Sequence, residues 1–328
     1  MRAAARGRVP PNTPLTVVRP WPTRTVVLLR RRPPALSLLL PALLLAAGCG
    51  GDGDAANGDA ASDDTGGTPA TAAAEAPADP SAVPAPELPP PAFGAATGPV
   101  VIGHRGAAGH HPDNSLEGFA AADDLGASWV ELDVRLSADG EVVLHHDMAT
   151  AAGTPIAGAT AADLATEGIP TLDEALDVID EQSLGVDVEL KSIPTEDGYD
   201  PTLAVVDATV AVLQARPAPG PVVVSSFDRA ALDRVRELAG DDLTTVFITQ
   251  GIGGPEDLAA SLVDGGHDGL AIGDPALPRS TFRVFADAGL PVWMWTIDSP
   301  AVAERVERRG AAGVITDVPD VISEALSD

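Results

Sequence analysis

Short apolar runs alternate with helical stretches between residues 98 and 328, and this alternation restricts the fold more than any other feature of the chain. Parallel strands that are buried on both faces have near-continuous apolar sequences of this kind, and helices connect them. Eight strand–helix units predict an α/β fold, a (β/α)8 TIM barrel, with a doubly wound open sheet as the alternative. The predicted strands are VVIGHR (100–105), WVELDVRL (129–136), GVDVELK (185–191), VVVSSF (222–227), TTVFIT (244–249), GLAIGD (269–274), VWMWTI (292–297) and GVITD (313–317). The predicted helices are 115–125, 171–181, 203–214, 229–239, 255–262, 280–288 and 300–309.

A ninth apolar run, EVVLHH (141–146), follows the turn sequence LSADGE. A strand that comes so soon after a turn signal folds back on the strand before it. We therefore expect a small β-hairpin excursion after the second strand, which leaves eight strands for the barrel. If the turn is centred between Ala138 and Asp139, Glu131 lies opposite His146.

The first 48 residues have the pattern of an export signal. Eight arginines precede Cys49, and the apolar stretch ALSLLLPALLLAAG (35–48) is shorter than the roughly 20 residues that a membrane-spanning helix needs. Cys49, the single cysteine of the chain, follows small residues in a segment that resembles a bacterial lipobox. We expect lipidation at Cys49 and an exported protein, anchored to the cell membrane by this lipid or extracellular; an ordinary signal peptide is the alternative.

Residues 49–97 are rich in Ala, Gly, Pro and Asp, and Phe93 is their only aromatic residue. Such a segment buries too little apolar surface to offset the entropy lost on ordering. We expect a disordered linker between the lipid anchor and a catalytic barrel formed by residues 98–328.

The formal net charge is −28, and it becomes more negative once the arginine-rich leader is removed. A surface this acidic disfavours nucleic acids and anionic membrane faces as partners. A substrate that carries phosphate would need local positive charge, which a metal ion can supply.

Polar residues stand at the carboxyl ends of the predicted strands. Barrel enzymes build their active sites at this end, so we expect the site there. The residues are His104, Arg105, Glu131, Asp133, Glu189, Lys191, Ser226, Thr296, Asp298, Thr316 and Asp317.

Glu131 and Asp133 lie two residues apart on one strand, so their side chains share a face about 7 Å apart along the strand. Two carboxylates inside an apolar strand are costly unless they are neutralised. A divalent metal with oxygen ligands, Ca²⁺ or Mg²⁺, is the simplest partner, and Glu189 can supply a third carboxylate. Salt bridges to Arg135 or Lys191 are the alternative.

Two histidines are expected beside this metal. The hairpin pairing brings His146 next to it, and His104 lies one strand away. Histidines titrate near neutral pH and suit general acid and general base roles. Arg105 and Lys191 offer the contacts that a phosphate group needs. Together these residues predict metal-assisted phosphoryl transfer.

The motifs HRG-x5-PDNS, ELDVRLSADGEVVLHHD, VDVELK, VVVSSF, WTID and GVITDVP occur in this order over residues 99–321. This series resembles the glycerophosphodiester phosphodiesterase family. The resemblance implies a TIM barrel that hydrolyses glycerophosphodiesters, its small-molecule substrates, to sn-glycerol 3-phosphate and an alcohol. The resemblance implies His104 and His146 as the acid–base pair, and Glu131, Asp133 and Glu189 as metal ligands. Arg105 would bind the phosphate, and Lys191 would contact the phosphate or a carboxylate that binds the metal. Some family members react through a cyclic phosphate and others by direct attack of water, and both routes stay open.

The remaining candidates have simpler interpretations. His145 points to the opposite face from His146, so we expect it to be packed or exposed. Asn114 with Glu117 has the spacing of a helix capping box. Trp295 either forms a wall of the glycerol pocket or packs in the core.

The stretch MATAAGTPIAGAT after Asp147 is short for this family and contains no arginine. We therefore expect an open site that admits bulky headgroups or polymers. Two other functions stay as alternatives: a phospholipase D-type or phosphoinositide-cleaving barrel, and a catalytically inactive binding lipoprotein.

Overall fold

A computed structural model of the chain describes residues 98–216 and 220–327, and within them nine strands form one sheet. The order is β1-β9-β8-β7-β6-β5-β4-β2-β3, and β1 also pairs with β2, so eight strands close into a ring. The predicted eight-stranded parallel barrel with one extra strand is confirmed, and the open sheet is wrong. The strands are β1 (Val100–Gly103), β2 (Trp129–Leu136), β3 (Val142–Leu144), β4 (Gly185–Leu190), β5 (Val222–Ser226), β6 (Thr244–Thr249), β7 (Gly269–Ile272), β8 (Val292–Met294) and β9 (Gly313–Thr316).

The β2–β3 hairpin is present, but its predicted register is wrong by one residue. Val134 pairs with Leu144, so the turn is centred on Asp139 and Glu131 does not lie opposite His146. The Ser137 N–H donates to the Glu141 carbonyl at 2.9 Å, and the Glu141 N–H donates to Ser137 Oγ at 3.0 Å. This pairing leaves a three-residue turn that ends in a glycine with positive φ, a common hairpin geometry.

Helices cover the outside of the barrel. The seven predicted ones are present, that over 229–239 with the predicted bounds and the others with shifted ends. A short helix before Ile169 and a helix at the carboxyl end of the chain were not predicted. The predicted capping box at Asn114 is wrong, because Ser115 caps α1 by accepting from the Gly118 N–H at 3.1 Å. The helices are α1 (Leu116–Ala121), α2 (Ala161–Ala165), α3 (Leu172–Gln182), α4 (Ala204–Ala215), α5 (Arg229–Ala239), α6 (Pro255–Asp264), α7 (Arg279–Asp287), α8 (Pro300–Glu307) and α9 (Pro319–Leu326).

Apolar side chains fill the interior of the barrel below the carboxyl ends of its strands. Trp129 and Trp293 pack edge to face with 5.7 Å between ring centroids. Gly185 and Gly313, the neighbours of these tryptophans on adjacent strands, leave no room for a Cβ atom beside the indole rings. This pairing of large and small residues fills the floor of the barrel, and barrel enzymes form their active sites at the other end, at the carboxyl ends of the strands.

Over 98–216 and 220–327, no helix has both the length and the apolar character that a membrane span requires. The predicted signal segment (1–48), the linker (49–97) and Cys49 lie outside the described residues, so these expectations stay predictions.

Candidate active site

Three buried carboxylates lie together inside the barrel. Glu131 and Asp133 project from β2 and Glu189 from β4, where Asp133 and Glu189 are register partners. One oxygen from each lies within 4.8 Å of the other two. No donor in the described part of the chain reaches the buried Oε1 of Glu131. The donor set is hard and anionic, so these three residues can hold a divalent cation.

The electrostatics of the three carboxylates also favour a cation. Burial raises the pKa of Glu131 well above its usual value, and the charges of Asp133 and Glu189 raise it further. Burial likewise raises the pKa of Glu189, although Lys191 opposes this effect. A divalent ion would stabilise the ionised carboxylates that this concentration of negative charge destabilises.

Salt bridges neutralise part of this charge. Lys191 Nζ lies 2.8 Å from Glu189 Oε1 and 3.3 Å from Asp133 Oδ1, and Arg105 Nε lies 3.3 Å from Asp133 Oδ2. Burial raises the pKa of Asp133, but Lys191 and Arg105 outweigh it, and the pKa lies below its usual value. The alternative salt bridge to Lys191 is therefore formed, whereas Arg135 binds elsewhere. The pKa of Glu131 stays raised although Lys191 and Arg105 lie nearby. These two cations therefore do not fully offset the negative charge of the three carboxylates, and a metal ion can bind alongside Lys191.

His104 follows β1 and is held by an acidic partner from β9. Its Nδ1 lies 2.6 Å from Asp317 Oδ1, and its Nε2 lies 3.9 Å from Glu131 Oε2. This contact with His104 lowers the pKa of Asp317. A carboxylate on Nδ1 places the proton there and leaves Nε2 facing the site, which is the arrangement of an oriented general base.

His146 lies at the rim of the same cavity, although the pairing used to predict it is wrong. The segment after β3 turns over the barrel mouth, where the His146 ring lies 2.7 Å, Nδ1 to Oδ1, from Asp147. Arg135 donates to the His146 carbonyl from Nε at 2.9 Å and from Nη2 at 2.7 Å. Burial, followed by the charge of Lys191, lowers the pKa of His146. His145 points away, with Nδ1 2.8 Å from the Asp147 carbonyl.

The backbone after His104 ties Arg105 to the carboxylates. The Arg105 N–H donates to Glu131 Oε2 at 2.9 Å, while its Nη1 lies 2.5 Å from Asp113 Oδ2. Asn114 donates from Nδ2 to Asp133 Oδ2 at 2.8 Å and accepts from the Asp133 N–H at 3.0 Å. Asn114 is thus a positioning residue that we interpreted as a helix cap; its place directly after the HRG loop was the available signal.

The catalytic cavity enclosed by these residues has a volume of about 340 Å³. Trp295 forms part of its wall and packs edge to face on Phe227 at 5.6 Å between centroids, so the structure places Trp295 at the cavity. Asp187 also reaches the cavity and was missed, because its strand contains two stronger signals in Glu189 and Lys191. Burial raises the pKa of Asp187 to about 8. The lining residues are His104, Arg105, Glu131, His146, Asp187, Glu189, Lys191, Ile193, Glu196, Phe227, Ile248, Gln250, Ala271, Trp295, Thr296 and Ile315.

Other histidines lie outside this cavity. His110 Nε2 lies 2.8 Å from Asp320 Oδ1, near the start of α9. His267 precedes β7, at the opposite end of the barrel, with Nδ1 3.1 Å from Thr245 Oγ1. Neither lines the catalytic cavity.

Proteins of known sequence resemble this chain over the barrel. The glycerophosphodiester phosphodiesterase of Caldanaerobacter subterraneus subsp. tengcongensis is 27% identical over 248 residues, which is 68% of this chain and 96% of that protein. The glycerophosphodiester phosphodiesterase of Bacillus subtilis is 24% identical over 249 residues, 68% of this chain and 84% of that protein.

Solved structures show the same likeness. An Oleispira antarctica phosphodiesterase in complex with the product sn-glycerol-3-phosphate is 27% identical, with a TM-score of 0.63, over 70% of this chain and 98% of that one. The glycerophosphodiester phosphodiesterase of Thermotoga maritima is 25% identical, with a TM-score of 0.57, over 69% of this chain and 97% of that one. Residues 104–321 match the Glycerophosphoryl diester phosphodiesterase family. With its barrel, its cavity and this match in agreement, the chain belongs to the glycerophosphodiester phosphodiesterase family.

Proposed function

We propose that the protein hydrolyses glycerophosphodiesters to sn-glycerol 3-phosphate and an alcohol, and that it requires a divalent metal. The observation that carries this proposal is a cluster of three buried carboxylates, Glu131, Asp133 and Glu189, at a cavity that His104 and His146 also line. The product bound to the Oleispira antarctica phosphodiesterase supports the choice of substrate.

The three carboxylates would hold Ca²⁺ or Mg²⁺, since both ions prefer oxygen ligands. A bound ion would supply positive charge opposite the phosphate group and would stabilise the charge that develops in the transition state. Arg105 and Lys191, which both line the cavity, bind the phosphate alongside it.

His104 and His146 perform the proton transfers. His104 takes a proton from the attacking hydroxyl, either of water or of the neighbouring glycerol carbon, and Asp317 stabilises the imidazolium that forms. A bond from this oxygen to phosphorus forms as the bond from phosphorus to the alcohol oxygen breaks. The departing oxygen keeps the electron pair and takes a proton from His146. Attack by water gives glycerol 3-phosphate directly, whereas attack by the glycerol hydroxyl gives a cyclic phosphate. Water then opens that ring, with its proton passing to His146 and the released glycerol oxygen taking a proton from His104. Trp295 packs against the glycerol carbons.

We also propose that the enzyme acts outside the cytoplasm, held to the membrane by a lipid on Cys49. The arginine-rich leader, the short apolar stretch and the small residues before Cys49 support this placement. Metabolic labelling with a radioactive fatty acid, compared between the wild type and Cys49→Ser, tests it. Equal labelling of the two proteins would contradict lipidation at this cysteine.

The activity is tested by measuring the release of glycerol 3-phosphate from glycerophosphocholine and glycerophosphoglycerol. We expect turnover to cease in EDTA and to return when Ca²⁺ or Mg²⁺ is restored. The absence of metal-dependent turnover on every glycerophosphodiester would overturn the proposal.

A further inference from the structure

The loop after β8 is bound to the end of β9 by one carboxylate, that of Asp298. Its Oδ1 accepts from the Asp317 N–H at 2.9 Å and from Thr316 Oγ1 at 3.0 Å. Thr316 is fully buried, whereas Asp298 is exposed in the loop before α8. A single oxygen therefore holds both a backbone N–H and a side-chain hydroxyl at the point where β9 ends.

The peptide group between Thr316 and Asp317 is held at both of its polar ends. Its carbonyl, that of Thr316, accepts from the His104 N–H at 2.8 Å, and its N–H, that of Asp317, donates to Asp298. A peptide group is planar, so a hydrogen bond at each end sets its rotation. The direction in which the Asp317 side chain leaves the backbone therefore depends on Asp298.

The next peptide group is held by the loop after β1. The Asp317 carbonyl accepts from the Gly109 N–H at 2.8 Å, and a Cβ atom at position 109 would lie 2.7 Å from this carbonyl oxygen. The Val318 N–H donates to Thr316 Oγ1 at 3.1 Å. Asp298 thus completes a set of hydrogen bonds that joins the loops after β1, β8 and β9 around Asp317.

The Asp317 carboxylate is the group that this set of bonds directs. It lies 2.6 Å, Oδ1 to Nδ1, from His104, and its side chain is 37% exposed. A partly exposed side chain has few packing contacts that would fix its position, so its backbone must do so. The His104 ring is in turn oriented by this carboxylate, which leaves Nε2 facing the catalytic cavity.

We propose that Asp298 is a positioning residue for the reaction: it holds the Asp317 backbone so that the Asp317 carboxylate meets His104 Nδ1. This proposal rests on the proposed function, in which His104 transfers the proton of the attacking hydroxyl. Asp298 does not line the catalytic cavity and acts through Asp317 alone. Both groups that donate to Asp298 are neutral, so its role requires an acceptor oxygen at this position and not a charge.

The test measures kcat and KM for glycerophosphocholine or glycerophosphoglycerol, whichever the wild type hydrolyses faster. In Asp298→Ala we expect kcat to fall about tenfold and KM to change less than twofold, because the base is misplaced while the phosphate contacts stay. Asp298→Asn keeps the acceptor oxygen and should restore most of kcat. Asp274→Ala is the matched control, since Asp274 follows β7 and its Oδ1 accepts from the Ala276 N–H at 2.9 Å; it should leave both values unchanged.

A second measurement observes His104 itself by nuclear magnetic resonance of protein with isotopically labelled histidine. The proton that His104 Nδ1 shares with a carboxylate lies in a short hydrogen bond and should resonate far downfield. The absence of this resonance from His104→Ala assigns it. We expect it to persist in Asp298→Asn and Asp274→Ala and to be lost in Asp298→Ala.

The comparison of the variants decides the role of Asp298. An unchanged kcat in Asp298→Ala, or an equal loss in Asp274→Ala, would overturn the proposal. A loss in Asp298→Asn as large as that in Asp298→Ala would overturn it too, because the charge would then matter and not the hydrogen bonds. So would a loss of kcat in Asp298→Ala that leaves the resonance intact. Turnover of no glycerophosphodiester by the wild type would instead overturn the proposed function, while the resonance would still show whether Asp298 orients Asp317.

Discussion

The buried carboxyl group of Asp187 gives a stability prediction whose size can be worked out. It lies on β4, two residues before Glu189 and in register with Glu131, and burial raises its pKa from an ordinary 3.8 to about 8. A carboxyl group with a raised pKa in the folded state contributes stability that is fully present below the unfolded pKa and is lost as the pH rises through the folded one. The relevant window is therefore about pH 4 to pH 8.

Asp187→Asn keeps the shape of the side chain and removes the titration. At 1.36 kcal/mol per pKa unit, the folded wild type carries a cost of about 4 kcal/mol at pH 7 relative to pH values below 4, and less than half of that cost at pH 5. The metal-free asparagine variant should therefore gain on the wild type by roughly 2 to 3 kcal/mol between pH 5 and pH 7, and the gain should level off above pH 8.

The assay is urea denaturation of both proteins in EDTA at pH 5, 6, 7 and 8, because a bound cation would itself change the titration of this group. Asp264→Asn, an exposed change on α6, serves as the control and should give a difference that is flat with pH. A flat difference for Asp187→Asn as well would refute the reasoning, since it would mean that the carboxyl group is ionised in the folded protein at all four pH values.

Three further predictions concern catalysis and metal binding. His104→Ala and His146→Ala should each lower kcat at least about 100-fold, as expected for loss of a general acid or base, whereas His110→Ala should keep most of it; equal losses in a steady-state assay would show that these roles are misassigned. Arg135→Gln removes the donors that hold the His146 carbonyl, so kcat should fall about tenfold with little change in KM, a loss that Arg135→Lys partly restores; a change in KM alone would argue against a positioning role. Ca²⁺ or Mg²⁺ at about 100 times its Kd should stabilise the wild type by about 2.7 kcal/mol in thermal unfolding. Glu131→Gln should abolish this rise, and an undiminished rise would place the ion elsewhere.

Sequence patterns predict the parts of the fold that hydrophobic periodicity and burial determine. They predict fewer of the contacts between side chains that are distant in sequence. The eight barrel strands are recognisable because each is apolar on both faces, and Glu131, Asp133 and Glu189 are conspicuous because charge in such strands is costly. The predicted hairpin register was wrong because hydrogen bonds between Ser137 and Glu141 set the turn.

The partners of the site residues were harder to find. Asp317 is 213 residues from His104 in sequence, and only closure of the barrel brings β9 beside β1. Asn114 matched a helix-cap pattern, and nothing in that pattern shows that its amide reaches β2. Local sequence patterns therefore identify the candidate reactive residues. The residues that orient them come into contact with them only when the barrel closes.

Strand β2 explains why so much of the site depends on one segment. Glu131, Asp133 and Arg135 are spaced two apart and share its inner face, so the strand places two candidate metal ligands and then the side chain that holds the His146 carbonyl. The same strand pairs with β3, which carries the chain to His146, and with β4, which carries Glu189 and Asp187. A one-residue slip of β2 would turn all three side chains outward at once. The other face of β2 carries Val130, Leu132 and Val134, which are buried against the helices and oppose such a slip. Packing on the outer face of the barrel therefore fixes the positions of Glu131, Asp133 and Arg135 on its inner face.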